Sequence, residues 1–327
     1  MTASSSRLDR AILSTLLYGD VFGFPMSAAE IHHYLIGVST TYNTVRNALN
    51  NPSQWLASHI VCDTREGEAY YKVRLQKEDI VAWRQQRRAA SSTLWPKARR
   101  YGILLGHFPF VQMVAITGSL AMQNAQDPND DLDYFLIVHP RRVWLARLFA
   151  VILVRITRLW GVTLCPNYVL AEDALEQDPQ DLFMAHEISQ MIPLVGHAVY
   201  EKMRAQNRWT EELLPNARSV FWPEPDVQPR GVGRVLQRFG EWILSGRIGN
   251  WLEAWEMRRK RRKFAEQHPE AKEVQLDEHR VKGHFTDYGH TTLLAYEQRL
   301  SALGMKPNEQ TESDARAYTP ALISQFQ

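Results

Sequence analysis

The stretch GSLAMQNAQDPNDDLDYFLIV, residues 118–138, raises a chemical problem inside a strand. An apolar run, VQMVAIT (111–117), gives way to Gly118-Ser119; eleven residues follow; then Asp131 and Asp133 head a second apolar run. Aspartate is disfavoured in strands and seldom buried without a partner. Alternate strand residues share a face, so Asp131 and Asp133 are expected on one side and Leu132 and Tyr134 on the other. Two aligned carboxylates repel unless a cation lies between them. Hard oxygen donors of this kind suit Mg²⁺, which takes one or two carboxylates and completes its shell with water and phosphate oxygens. Gly118 lets backbone come close to a ligand. SLAMQNA (119–125) reads as a helix whose first N–H groups, with the Ser119 hydroxyl, favour a phosphate. A phosphate holder beside a metal holder is what nucleotidyl transfer with two metal ions requires. The plainer alternative is a strand, a turn and a solvated strand start with no ligand.

Working outward, the next strands and helices alternate. VWLARLFAVILVRITRLW (143–160) has helical periodicity, and Arg147, Arg155 and Arg158 fall within an arc of about 80°. That stripe reads as a solvated face, with a positive rim beside a triphosphate as the alternative. TLCPNYVL (163–170) is another strand, and DPQDLFMAHEISQMIPLVGHAVYEKMRAQN a long helical region broken near Pro193 and Gly196. Strands and helices in this order indicate a mixed-sheet α+β core over 111–220.

Before it, residues 1–78 read as three helices followed by a hairpin. Ser27 and Glu30 form a capping box, STTYNTVRNALNNPSQWL is the third helix, and two strands flank the turn REGE. This is the order of a winged helix. Asn43, Arg46 and Asn47 share one face of its third helix, which makes DNA a possible partner. Only Arg46 is cationic there, which favours a structural or partner-docking role. Residues 79–110 read as a basic helical connector containing Arg84, Arg87 and Arg88. FWPEPDVQPRGVG (221–233) reads as a linker opening a helical C-terminal region, 221–327, with six consecutive basic residues at 258–263 and a polar tail after 305. That basic run reads as a solvated helix end, or as a surface for a polyanionic acceptor such as RNA.

Taken together, Gly-Ser, a spacer near ten residues and Asp-x-Asp within apolar strands resemble the DNA polymerase beta-like nucleotidyltransferase superfamily. The resemblance covers 111 to about 170 and extends more weakly to 215. LCPNYVL and QNRWTEELLPNA resemble an uncharacterised bacterial branch of it. The resemblance implies that Gly118 and Ser119 bind the triphosphate of an NTP and that Asp131 and Asp133 are ligands of two Mg²⁺ ions. It also implies a third carboxylate from the next strand. Here the sequence departs, since TLCPNYVL has none. Asn167 occupies a plausible third position but cannot act as a base, and Glu172 and Asp173 lie just beyond the strand.

The remaining motifs carry less. His186-Glu187 opens a zinc-protease pattern that fails at Gln190. His279, His284, Asp287 and His290 fit no metal spacing and read as a surface loop. Trp95, Trp144, Trp209 and Trp251 read as packing residues. A net charge of +2 on 327 residues gives no global commitment to nucleic acid or membrane. Two cysteines and an N-terminus without an apolar core point to a cytoplasmic protein. The expected function is transfer of an NMP from an NTP to an unidentified hydroxyl acceptor (RNA, protein or small molecule) with release of pyrophosphate. The alternatives are a catalytically weak or dead nucleotide-binding regulator and a basic interaction protein.

Overall fold

The apolar run after Asp133 becomes the middle strand of a mixed sheet. In the computed structural model, residues 6–267, 277–282 and 288–306 are described. The chain begins with α1 (Arg7–Val21), α2 (Ala28–His33), α3 (Tyr42–Asn50) and α4 (Gln54–His59), then the antiparallel hairpin β1 (Ile60–Arg65) and β2 (Glu68–Val73). Ser6 and Ser27 cap α1 and α2 with reciprocal capping boxes. The single third helix expected from sequence is two, α3 and α4. Asn51 and Pro52 interrupt it, and Ser53 caps the second piece.

A long helix, α5 (Ile80–Gly106), leads into β3 (Val111–Ile116), the single turn α6 (Gly118–Ala121), β4 (Leu132–Val138), α7 (Val143–Arg158) and β5 (Leu164–Ala171). Next come α8 (Leu182–Gln190), β6 (Ile192–Val195), α9 (His197–Gln206) and α10 (Thr210–Leu213). The C-terminal part adds α11 (Gly231–Leu244), α12 (Arg247–Gln267), β7 (Arg280–Lys282) and α13 (Tyr288–Ala302). The sheet order is β6-β3-β4-β5-β7; only β4 and β5 run parallel. The fold is therefore α+β with a mixed five-stranded sheet.

Two of these strands depart from expectation. IPLV was expected at a break within helix, yet it forms β6 against β3, because Gly196 at φ +76° ends it and allows the chain to pass close to Gln112. The C-terminal region is not wholly helical, since β7 pairs with β5. The polar tail beyond 306, and His284 and Asp287, lie outside the described residues.

Strand alternation sorts β4 cleanly. Tyr134, Leu136 and Val138 join Leu94, Ala98 and Val143 beneath α5 and α7. Phe135 and Ile137 join Ile188, Tyr200 and Met203 beneath α8 and α9. Asp133 therefore belongs to the α8 side. The N-terminal helices are not separately packed: their core is continuous with Leu182 and Ala185 of α8 and with Tyr296 and Leu300 of α13. Tyr18 stacks on His186 at 4.0 Å. Among the described residues, no helix is long and apolar enough to cross a membrane.

The expected basic connector also holds the halves together. Arg84 of α5 is buried, ion-paired to buried Glu30 of α2 at 2.6 Å, stacked on Phe24 and donating to the Met122 carbonyl at 3.2 Å. Arg88 pairs with Glu68 and Arg99 with Glu224. These arginines have partners distant in sequence, which the local absence of acidic residues conceals. Removing one partner of a buried pair leaves an uncompensated charge. Arg84→Ala is expected to cost about 3–5 kcal/mol in urea unfolding. Arg84→Met combined with Glu30→Gln, which keeps the α2 cap, should recover most of that loss; a cost below about 1 kcal/mol for Arg84→Ala would contradict the assignment.

Candidate functional site

Antiparallel pairing of β3 with β4 places the end of one beside the start of the other. Ile116 lies opposite Tyr134, and the Thr117 amide donates to the Asp133 carbonyl at 3.1 Å. The chain then turns at Gly118, φ +66°, directly against the Asp133 side chain. A Cβ at Gly118 would lie 2.5 Å from Asp133 Oδ2. Position 118 thus needs glycine twice, for its left-handed backbone and for the space the carboxylate occupies. Asp131 stands one residue before β4 and is exposed, while Asp133 is partly buried.

The other Asp133 oxygen is fixed. Asn167 Nδ2 donates to Oδ1 at 2.6 Å, and the Cys165 thiol donates to Asn167 Oδ1 at 2.7 Å. Parallel registry makes this possible, because Asp133 is paired with Cys165 on β5. Burial, then the charges of Asp133 and Asp131, push the Cys165 thiol up to about 12, so it stays protonated and donates. Asn167 is therefore brought to Asp133. Glu172 and Asp173 are not. They follow the far end of β5, about 23 Å along the strand from Cys165 at ~3.3 Å per residue. There Glu172 binds Lys202 at 2.9 Å and Asp173 meets His279 at 3.2 Å.

Burial also drives the Asp133 carboxyl up to about 7, with Asn167 opposing and the charges of Asp131, Glu187 and Asp130 adding to the rise. Two of these acids were missed by sequence reasoning. Asp130 accepts from Ser119 Oγ at 3.2 Å and from the Gln126 amide at 2.9 Å, closing the loop between the two halves of the motif. Glu187 comes from α8, over fifty residues away, and its sequence context offered only the failed zinc pattern.

The Gly118–Ser119 half of the motif differs from the expected helix. α6 is one turn, ended by Gln123 at φ +52°, and the Asn124 amide donates to the Ser119 carbonyl at 2.8 Å. So short a helix contributes little dipole, and any anion here would rely on local N–H groups and the hydroxyl. Gly118 and Ser119 line a cleft of about 630 Å³ between the N-terminal helices and the sheet. Trp83 and Arg87 of α5 and Glu187 and Gln190 of α8 form its walls. Asp131 and Asp133 are not among its lining residues; Asp133 lies immediately behind Gly118.

On the β5 side, Arg147 does not belong to a solvated stripe. Its Nε and Nη1 are buried without hydrogen-bond partners, and burial lowers its pKa. Arg155 and Arg158 are exposed as expected. Trp144 is buried, but Trp251 is 60% exposed rather than packed.

The acids whose charges reach Asp133, namely Asp131, Glu187 and Asp130, offer oxygen donors of the kind that suits Mg²⁺. Among the described residues no group of three His, Cys, Asp or Glu is placed to hold a metal; an ion here would take at most two carboxylates and complete its shell with water or phosphate. Compared with protein-family models, curated proteins and solved structures, the chain matches none.

The raised Asp133 pKa has a measurable sign. Unfolded, the carboxyl titrates near 3.8; folded, near 7. The associated stability is complete below about 3.8 and is lost as pH rises through about 7. Without divalent cations, Asp133→Asn should therefore melt higher than the parent above pH ~7, and the gap should close towards pH ~4. Mg²⁺ should raise the parent's melting temperature above pH ~7 and leave the variant's unchanged. A gap independent of pH would contradict the arrangement.

Proposed function

We propose that the chain is a Mg²⁺-dependent nucleotidyltransferase of the DNA polymerase beta-like kind, moving an NMP from an NTP to a hydroxyl acceptor and releasing pyrophosphate. The observation that carries this reading is the packing of Asp133 Oδ2 against Gly118, with Asp131 two residues earlier at the same end of the sheet. Asp131 and Asp133 would hold Mg²⁺, two ions in the full arrangement. When bound, the metal would neutralise phosphate charge and ease ionisation of the acceptor hydroxyl.

The chain's own residues have distinct tasks. Gly118 admits phosphate oxygens close to backbone. Ser119 Oγ, now donating to Asp130, would turn to a phosphate. Asn167 keeps Asp133 oriented through Oδ1 and leaves Oδ2 towards the turn. Arg87 would supply positive charge on the cleft wall, and the Trp83 ring a stacking surface for the base. RNA, a protein or a small molecule each fits as acceptor, because these residues serve the donor half alone.

A second reading has its own support. The β5 side chain bonded to Asp133 is the amide of Asn167, which cannot act as a base, and Glu172 and Asp173 are remote. The chain would then be a nucleotide-binding regulator with little turnover. Its N-terminal helices and hairpin, acting as a winged helix, would engage DNA or a protein through α3, where Asn43, Arg46 and Asn47 are exposed.

Incubation with each labelled NTP and Mg²⁺ separates the two. Transfer predicts pyrophosphate release that falls about a thousandfold or more in Asp131→Ala and Asp133→Ala. Mg²⁺-dependent nucleotide binding without pyrophosphate favours the regulator. No nucleotide binding with any NTP would sink both.

A further inference from the structure

The C-terminal helices are mounted with their apolar side outward. On α11, Val232, Val235, Leu236, Phe239, Trp242 and Ile243 fall within an arc of about 120°. All six are exposed, Val232 at 75% and Trp242 at 74%. The opposite face, made of small and polar residues, is what meets the protein. Gly233 lies against His107 and Gly240 against Pro109, where added Cβ atoms would approach to 2.4 and 2.7 Å. Gln237 is buried and donates to the carbonyls of Gly106 and Phe108 at 3.2 Å, and Glu241 accepts from the Phe110 amide at 3.1 Å. Glycine at these two contacts lets the polar face of α11 lie close against the loop after α5. On α12, Ile248, Trp251 and Trp255 continue the outward stripe at helical spacing. Arg258 and Arg262, both exposed, extend the same line.

Charge is sorted the same way. Between 230 and 267 there are ten basic residues and four acidic ones. Glu241 is spent on Phe110, Glu253 accepts from the Trp144 and Leu145 amides at 2.9 and 2.7 Å, and Glu256 is buried against Arg259. Of the four, only Glu266 at the end of α12 is exposed. Arg230, Arg234, Arg238, Arg247, Arg258 and Arg262 are exposed. A large aromatic stripe bordered by cations, with one exposed anion at its far end, is the composition of a helix that lies in a membrane interface. A second copy of the chain would bring like charges together.

We propose that the α11–α12 face docks on an anionic lipid bilayer, lying on it without crossing it. Tryptophan and phenylalanine rings enter the headgroup region, and the arginines meet lipid phosphates. This surface is separate from the Asp133 site and does not depend on the function proposed for it.

The test is co-sedimentation of the full chain with vesicles of phosphatidylcholine, with and without phosphatidylglycerol. Binding is expected to the anionic vesicles alone and to weaken with salt. A triple variant, Phe239→Ser, Trp242→Ser and Trp251→Ser, should bind at least about tenfold more weakly with an unchanged circular dichroism spectrum. If that variant fails to fold, quenching of the parent's tryptophan fluorescence by brominated lipid serves instead, and quenching is expected. Absence of binding, equal binding to neutral vesicles, absence of quenching, or a solution dimer that the triple variant dissociates would overturn the proposal.

Discussion

The contact between the Asp133 carboxylate and Gly118 constrains everything around it. Any side chain at 118 would collide with Oδ2, and the backbone there is left-handed. The contact exists because β3 and β4 run antiparallel with Ile116 opposite Tyr134, which brings the end of one strand to the start of the next. It is held from the other flank by Asn167, which reaches Asp133 through the parallel registry of β5. Move any of the three strands by one residue and the carboxylate leaves its face. Burial first, and then the surrounding acids, make an ionised Asp133 costly in the bare protein. A bound cation would offset that cost.

The N-terminal helices complete the site rather than merely precede it. Their core merges with α8 and α13, and the Arg84–Glu30 pair ties α2 to α5. That packing makes the cleft in front of Gly118 and Ser119, with one wall from α5 and another from α8. Changes at the α2–α5 junction would therefore reach the cleft through Arg84, which also holds the carbonyl of Met122, a cleft residue.

Much of the core was legible because its signals are local. LDYFLIV is a continuous apolar run, as expected of a central strand covered on both faces, and alternation alone put Asp133 opposite Tyr134. Ser27 and Glu30 announced α2 within four residues. What escaped depends on distance in the chain. β6 is only IPLV, carries a proline and sits between helices, so no period distinguishes it from a helix break. Glu187 joins the acids only through α8 packing on the sheet. Arg84 read only as part of a basic connector because its partner is 54 residues away. The helix expected after Ser119 shrank to a turn because Gln123 takes a left-handed backbone, which nothing in its type requires. The outward mounting of α11 is likewise invisible locally, since an amphipathic pattern says that one face is apolar and not which way it points.

The most direct measurement is a crystal structure with Mn²⁺ and a non-hydrolysable NTP, read by anomalous scattering. The account requires a manganese peak within coordination distance of both Asp131 and Asp133, with the triphosphate resting on the Gly118–Ser119 turn. A peak elsewhere, or a nucleotide bound away from that turn, would contradict it.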